Sequence, residues 1–362
     1  MSIIDRYVAR TFLAGYLILM LVGIGLYVLT DLLVNIDEFT EDQSLPFFQL
    51  LKLMGDYYVC NLPLYYSQLG EPLMAIAAAF TLGMMLRNNE LTALVAAGMP
   101  LQRLTAPLVV CSVLLVGVWM ANREVLLPQL AHKIARKHDD IIVERTSGVE
   151  CARDDNNAIL SAAKFFPRQG RLENVYIIEP QKWGRSLISA DAATYDRQSA
   201  TWRLERGKRT TMYDPMQREG LGPPIEPDYV DEYAFTLTPQ ELLLRRNSQW
   251  TDLLSIRQLN ALLHSRNLAN RPAISMSRHI RLTQPLLQLV LVLLGLPFFL
   301  VREPTSVMAA GGKALLLCGA FFLVAFVAHS MVKQEAHAAL VVWIPILIFG
   351  PLAVVQLANV KT

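Results

Sequence analysis

The sequence predicts an α-helical membrane protein: six transmembrane helices in a three-plus-three arrangement, with a strand-rich soluble domain inserted between the third and fourth. Three observations predict it. Of 362 residues, 53% are hydrophobic and 18% charged, against roughly 25% charge in ordinary soluble domains. The charge is segregated, with 44 of the 64 Asp, Glu, Lys and Arg residues lying between Asn122 and Arg281. The flanks so cleared hold six apolar stretches near the ~20 residues that a ~30 Å hydrocarbon core requires. The expected organisation is helices 1–3 in residues 1–127, the soluble domain in 128–270, and helices 4–6 in 271–362.

The first stretch, 12–34, carries one charge, Asp31. Arg6 and Arg10 give it the basic start of a signal peptide, but the run is too long and no small-residue cleavage site follows, so it reads as a permanent helix. The second, 62–86, is interrupted by Glu71 and Pro72. The third, 104–121, and the fourth, 282–301, are uncharged. The fifth, 314–332, contains only His329, and the sixth, 338–358, holds Pro345 and Pro351. Proline is tolerated in a membrane helix where neighbours satisfy the freed carbonyls. Six runs without polar faces cannot be hidden in one small soluble core.

Basic residues in short loops set the orientation. With the N-terminus in the cytoplasm, the inner segments carry Arg6, Arg10, Arg87, Arg103, Arg302, Lys313 and Lys361, and the short outer loops only Lys52 and Lys333. The first outer loop is acidic, with Asp37, Glu38, Glu41 and Asp42. Both termini are therefore expected in the cytoplasm and the soluble domain on the other side.

That domain reads mainly as strands. Residues 157–166 form a short apolar run before a turn at 167–170. Residues 172–179 are rich in β-formers and stop at Pro180, and 186–195 and 201–206 flank a polar turn at 196–199. Short strands at this spacing predict a β-sandwich or open roll. Two glycines and three prolines make 220–227 a loop. Residues 251–263 return to an amphipathic helix, with Thr251 or Ser255 as its cap and Leu254, Leu259 and Leu263 near one face.

Catalytic signatures are lacking. Gly311-Gly-Lys313 does not have the spacing of a phosphate-binding loop, so nucleotide hydrolysis is expected in another subunit. His329, Glu335 and His337 are wrongly spaced for a zinc protease, and Cys60, Cys111, Cys151 and Cys318 have no metal spacing. Cys60 and Cys151 both fall on the outer side, which leaves a disulfide open. No metal, cofactor, catalytic residue or nucleic-acid partner is expected.

Ionisable residues near a membrane are functional candidates by default. Asp31, Glu71, Arg123, Glu124 and Lys333 lie at the outer ends of their helices. They read either as interfacial residues facing headgroups and water or as the lining of a cavity open to the outer leaflet. In the second case Arg123 and Lys333 suit an anionic headgroup, and Asp31 joins them as a candidate lipid contact.

The inner loop after helix 2 is the most informative segment. Across 87–100, Asn88 or Asn89 suits a helix cap, Glu90 complements the helix dipole, and Gly98 then Pro100 end the helix. Leu91, Leu94 and Val95 make an apolar stripe. A membrane-surface turn has this pattern, and so does a coupling helix that docks into another subunit through Glu90 and the stripe.

Several segments resemble the LptF/LptG permeases of the lipopolysaccharide export ABC transporter. Asp5-Arg-Tyr7 opens helix 1. Gly83 onward, through Arg-Asn-Asn-Glu90-Leu91 to Ala97-Gly98, resembles that family's second helix and coupling helix. Ala192 to Tyr195 followed by Thr201-Trp-Arg-Leu204 resembles its β-jellyroll repeat. Leu237-Thr-Pro-Gln-Glu-Leu242 and Leu259 to His264 resemble the stretch before helix 4, and Arg281 to Pro285 with Leu294-Gly-Leu-Pro-Phe298 resembles helix 4 itself.

The resemblance implies a multi-pass inner-membrane permease with a periplasmic β-jellyroll-like domain, without a nucleotide site of its own. It implies two paired permeases, a cytoplasmic ABC ATPase dimer that binds ATP, and a periplasmic bridge protein. The cargo is lipopolysaccharide or a similar anionic glycolipid, taken from the outer leaflet of the inner membrane. It also implies that Glu90, Leu91, Leu94, Val95 and Gly98 belong to the ATPase-coupling element, and that helices 1 and 5 form a lateral gate. Two departures stand out: Asp31, Asp37 and Glu38 occupy a region that is basic in one of the family's permeases, and Asn88 and Asn89 precede the glutamate in place of a small polar residue. Two other classes share the broad pattern: a permease of a different ABC complex handling lipoproteins or peptides, and a non-transporting membrane scaffold or sensor.

Overall fold

The computed structural model describes residues 3–35, 47–134, 147–154, 156–167, 169–181, 184–196, 199–213, 228–239, 241–242, 250–264, 271–300, 306–330 and 335–360. The chain divides into two compact units: Met1–Val34, Tyr58–Pro128 and Pro272–Thr362 in one, Asn35–Tyr57 and Gln129–Arg271 in the other. The first is helical and the second is built on a sheet.

Among the described residues, six helices are long and apolar enough to cross a membrane, three before the sheet and three after it. They include α1 (Ile3–Val34), α2 (Phe47–Arg87) and α4 (Thr105–Ala121), with the short α3 (Glu90–Ala96) between the last two. A π-helical turn at Asn122–Leu126 carries α4 into α5 (Leu127–Ile134). After the sheet come α6 (Ile256–His264), α7 (Arg271–Gly295), α8 (Val307–Ser330) and α9 (Glu335–Ala358).

Two helices exceed the apolar runs that announce them. The 41 residues of α2 span about 60 Å at 1.5 Å per residue, roughly twice a hydrocarbon core. Helix α7 begins at Arg271, eleven residues ahead of its uncharged run, and within that leading stretch Ile274, Ser275 and Arg281 are buried. Helix α2 contains Pro63 and Pro72, and near them side chains from the next span reach its carbonyls. The Asn122 amide donates to Pro63 O at 2.9 Å and the Trp119 indole to Ser67 O at 2.9 Å. Gly70 permits that approach, since a Cβ there would lie 2.8 Å from Trp119 Cδ1.

One apolar cluster joins α1, α2, α3, α4 and the 296–314 region through Phe12, Leu82, Leu91, Leu108, Phe299 and Ala310. A second joins α7, α8 and α9 through Leu291, Phe321 and Phe349, the last two meeting edge-on at 5.3 Å. Large apolar side chains such as Leu17, Leu21, Leu316, Phe326 and Leu347 remain exposed, as expected of helices whose outer solvent is lipid.

The second unit is an eight-stranded antiparallel sheet: β1 (Ser147–Arg153), β2 (Ile159–Phe166), β3 (Arg171–Gln181), β4 (Gly184–Asp196), β5 (Thr201–Glu205), β6 (Lys208–Tyr213), β7 (Asp228–Tyr229) and β8 (Glu232–Tyr233). The main order is β1-β2-β3-β4-β5-β8. Strand β4 changes partner along its length: Ala192–Asp196 pair with β5 and Gly184–Ser189 with β6. Where a β-sandwich or open roll is expected, the described residues form one eight-stranded sheet, compatible with a jellyroll. Its core gathers Leu160, Phe165, Leu172, Ile177, Ile188, Trp202 and Phe235. Burial pushes the Tyr233 phenol well above its ordinary pKa, with nearby Glu179 and Asp154 adding to the shift.

Ser255, not Thr251, caps α6: Gln258 N–H donates to Ser255 Oγ at 3.3 Å and Ser255 N–H to Gln258 Oε1 at 2.8 Å, a reciprocal capping box. The loop expected at 220–227 lies outside the described residues. All four cysteines are free thiols.

Candidate functional site

Two constellations in the helical unit stand out. They are separated by α4, whose 17 residues span about 26 Å.

The first is the turn between α2 and α4. Asn89, at φ 59° and ψ 16°, reverses the chain in the left-handed region that asparagine tolerates better than most residues. The expected side-chain cap does not form. The Asn88 amide instead donates to Glu90 Oε1 at 3.2 Å. The far end of α3 closes with paired bonds, Met99 N–H to Leu94 O at 3.1 Å and Gly98 N–H to Val95 O at 2.9 Å. This is a Schellman motif with glycine at its left-handed position, Gly98 having φ 76°. Gly98→Ala is expected to cost about 1–2 kcal/mol locally, the penalty for a Cβ in that region. Amide exchange at residues 98 and 99 should accelerate roughly tenfold while the unfolding midpoint of the whole protein stays put.

The stripe of Leu91, Leu94 and Val95 faces inward. Leu91 is 2% exposed in the cluster that contains Val8 and Phe12, and Leu94 and Val95 are half-buried against it. A seven-residue helix cannot hold an apolar stripe in water, and its own bundle is the nearest cover. What α3 turns outward is a face of small residues, Thr92, Ala93, Ala96 and Ala97. Glu90 sits half-buried at its start, and Tyr7 Oη of α1 lies 3.2 and 3.1 Å from its two carboxylate oxygens. At the same end of the bundle the Gln102 amide donates to Val360 O at 3.2 Å.

The second constellation surrounds the π-helical turn. One extra residue in the turn swings side chains off the regular helical face. Here it places Asn122 and Arg123 inside, 6% and 8% exposed. The Arg123 guanidinium donates to Gln284 Oε1 and lies over the Trp119 ring at 5.1 Å. The Gln284 amide continues to Glu71 Oε2 at 3.3 Å. Beside this chain, the almost fully buried Arg281 side chain donates to Glu124 Oε1 at 3.0 Å and to Arg123 O at 3.3 Å. Two cations, two carboxylates and an amide thus tie α2, the π turn and α7 together.

Of the residues expected to meet a lipid headgroup, Arg123 is engaged within the bundle as described. Asp31 accepts from Tyr58 Oη at 3.1 Å. Lys333 lies outside the described residues, as do the side chains of His329 and His337. Sequence reasoning missed Tyr7, Arg281 and Gln284. The signal for the last two was present: Arg281, Gln284 and Gln288 follow at spacings of three and four along α7, a polar face that only a helix buried in protein would carry. Tyr7 carried no such signal, because its partner is 83 residues away.

The model of the family described as lipopolysaccharide export system permease LptF/LptG matches residues 6–359. No curated protein matches the chain. The match takes in both groups of spans, the turn at Glu90 and the whole sheet unit. The chain is a multi-pass membrane protein, and it belongs to the LptF/LptG family of lipopolysaccharide export permeases.

Proposed function

We propose that this chain is one of two paired permeases in an ATP-driven exporter that extracts lipopolysaccharide, or a similar anionic glycolipid, from the outer leaflet of the inner membrane. The observation that carries the reading is Glu90: a carboxylate held at the head of a short, tightly closed helix in the turn between two spans. On the orientation that the basic residues favour, this turn faces the cytoplasm, where an ABC ATPase dimer binds and hydrolyses ATP. The small residues Thr92, Ala93 and Ala96 let a partner backbone approach closely, and Glu90 offers a charge-assisted bond to an arginine or lysine of the ATPase. Closure of the ATPase is transmitted through α3 to the core of the bundle by Leu91. The sheet unit, on the periplasmic side, passes the lipid to a bridge protein. Arg123, Lys333 and Asp31 remain the candidate headgroup contacts.

The test is co-purification of the partner ATPase with the full chain in its complex. Glu90→Ala and Ala93→Arg, neither of which touches the bundle core, are expected to lose at least tenfold of the retained ATPase, since removing one partner of a charge pair at an interface costs about 2–5 kcal/mol. A wild-type complex that retains no ATPase would overturn the reading.

A further inference from the structure

We propose that Tyr7 is a positioning residue that links the first membrane helix to the ATPase-reading carboxylate, so that helix α1 senses the nucleotide cycle through its hydroxyl. The proposal rests on the assignment of Glu90 as the coupling residue. Its own ground is the geometry of the first helix. Tyr7 Oη reaches both oxygens of Glu90, at 3.2 and 3.1 Å, while the Asn88 amide holds Oε1 at 3.2 Å. A carboxylate offers about four lone-pair sites, so these two donors orient Glu90 and leave room for an incoming cation.

The rest of α1 shows why this contact matters. Its buried residues are Val8, Ala9, Phe12, Tyr16 and Met20, and beyond Met20 none is buried. The helix is therefore anchored at the Tyr7 end, in the same cluster as Leu91 of α3. Its second half, with Leu21, Leu26, Leu29 and Leu33 exposed, meets α2 where Leu73 packs against Gly23 and through tyrosines: the Tyr27 and Tyr65 rings lie tilted with centroids 4.5 Å apart, and Tyr58 bonds Asp31. A displacement of Glu90 toward a partner cation pulls at the anchored end, and the sparsely packed half swings. Phenylalanine at position 7 keeps the ring and its packing and removes only the hydroxyl.

The experiment uses the complete complex of permeases and ATPase in lipid vesicles, with wild type, Tyr7→Phe and Tyr7→Ala. Two quantities are read: the ATPase retained, and the stimulation of hydrolysis by the exported lipid. Tyr7→Phe is expected to retain the ATPase within about twofold and to lose about three- to tenfold of the lipid stimulation, the range for one ordinary net hydrogen bond, since solvent at this partly exposed site weakens the bond to a charge. Asn88→Ala, which leaves α1 untouched, is expected to change stimulation by less than Tyr7→Phe. Unchanged stimulation in Tyr7→Phe overturns the role of Tyr7 while leaving the coupling role of Glu90 standing, and it does so even if Tyr7→Ala is impaired, because that defect would belong to the ring. Failure of the wild type to retain the ATPase overturns both.

Discussion

Glu124→Ala is expected to destabilise the helical unit by about 3–5 kcal/mol, the cost of breaking a buried ion pair by removing one partner. The side chain of Arg281 is 1% exposed and that of Glu124 24%, so the arginine cannot turn to solvent when its carboxylate is removed. It keeps its bond to Arg123 O, which satisfies a donor but does not neutralise the charge. The effect belongs to breaking the pair and not to losing an inherent source of stability, because a buried ion pair roughly offsets its own desolvation. The double variant Glu124→Leu with Arg281→Met should accordingly recover most of the loss. The check is a double-mutant cycle on the full chain in detergent, following unfolding with added denaturing surfactant. A double variant as unstable as the sum of the two singles would mean that the two residues act independently and that the 3.0 Å contact carries no coupling.

How much of this was legible in the sequence depends on whether the signal was local. The six spans were, since each lies in an apolar run, broken only in the second by Glu71 and Pro72. The roll was legible in outline through the turns after β2 and β4, and the strands it missed show why it was incomplete. Strand β1 has register shifts along its pairing with β2, including one around Cys151, whose φ is 49°, so it lacks a clean alternation. Strands β7 and β8 have two residues each, below any periodicity. The short helix at Glu90 announced its end through Gly98 and Pro100, but the direction of its stripe did not follow from its own residues. Leu91 turns inward because Val8 and Phe12, more than 75 residues earlier, supply the cover. The charged cluster at the π turn reads from the sequence as interfacial or cavity-lining for the same reason. Arg123 and Glu124 look exposed until Gln284 and Arg281 are brought beside them, and that pairing spans more than 150 residues.

Trp202→Ala is expected to cost the sheet unit about 3–5 kcal/mol, the range for emptying the site of a large buried aromatic ring. Trp202 lies on β5 and is fully buried at 0% exposure. Its ring meets Tyr195 of β4 edge-on at 5.3 Å, and its indole N–H donates to Leu237 O at 3.1 Å. That single residue therefore ties β4, near its change of partner, to the segment that follows β8. Trp202→Phe separates the two contributions. It keeps most of the apolar volume and orphans the Leu237 carbonyl, for which about 1–3 kcal/mol is expected. Limited proteolysis of the full chain in detergent reads the difference, with cleavage in the sheet unit accelerating strongly for alanine and moderately for phenylalanine while the spans stay protected. Equal acceleration in the two variants would make the hydrogen bond to Leu237, rather than the packing of the ring, the element that holds the sheet unit together.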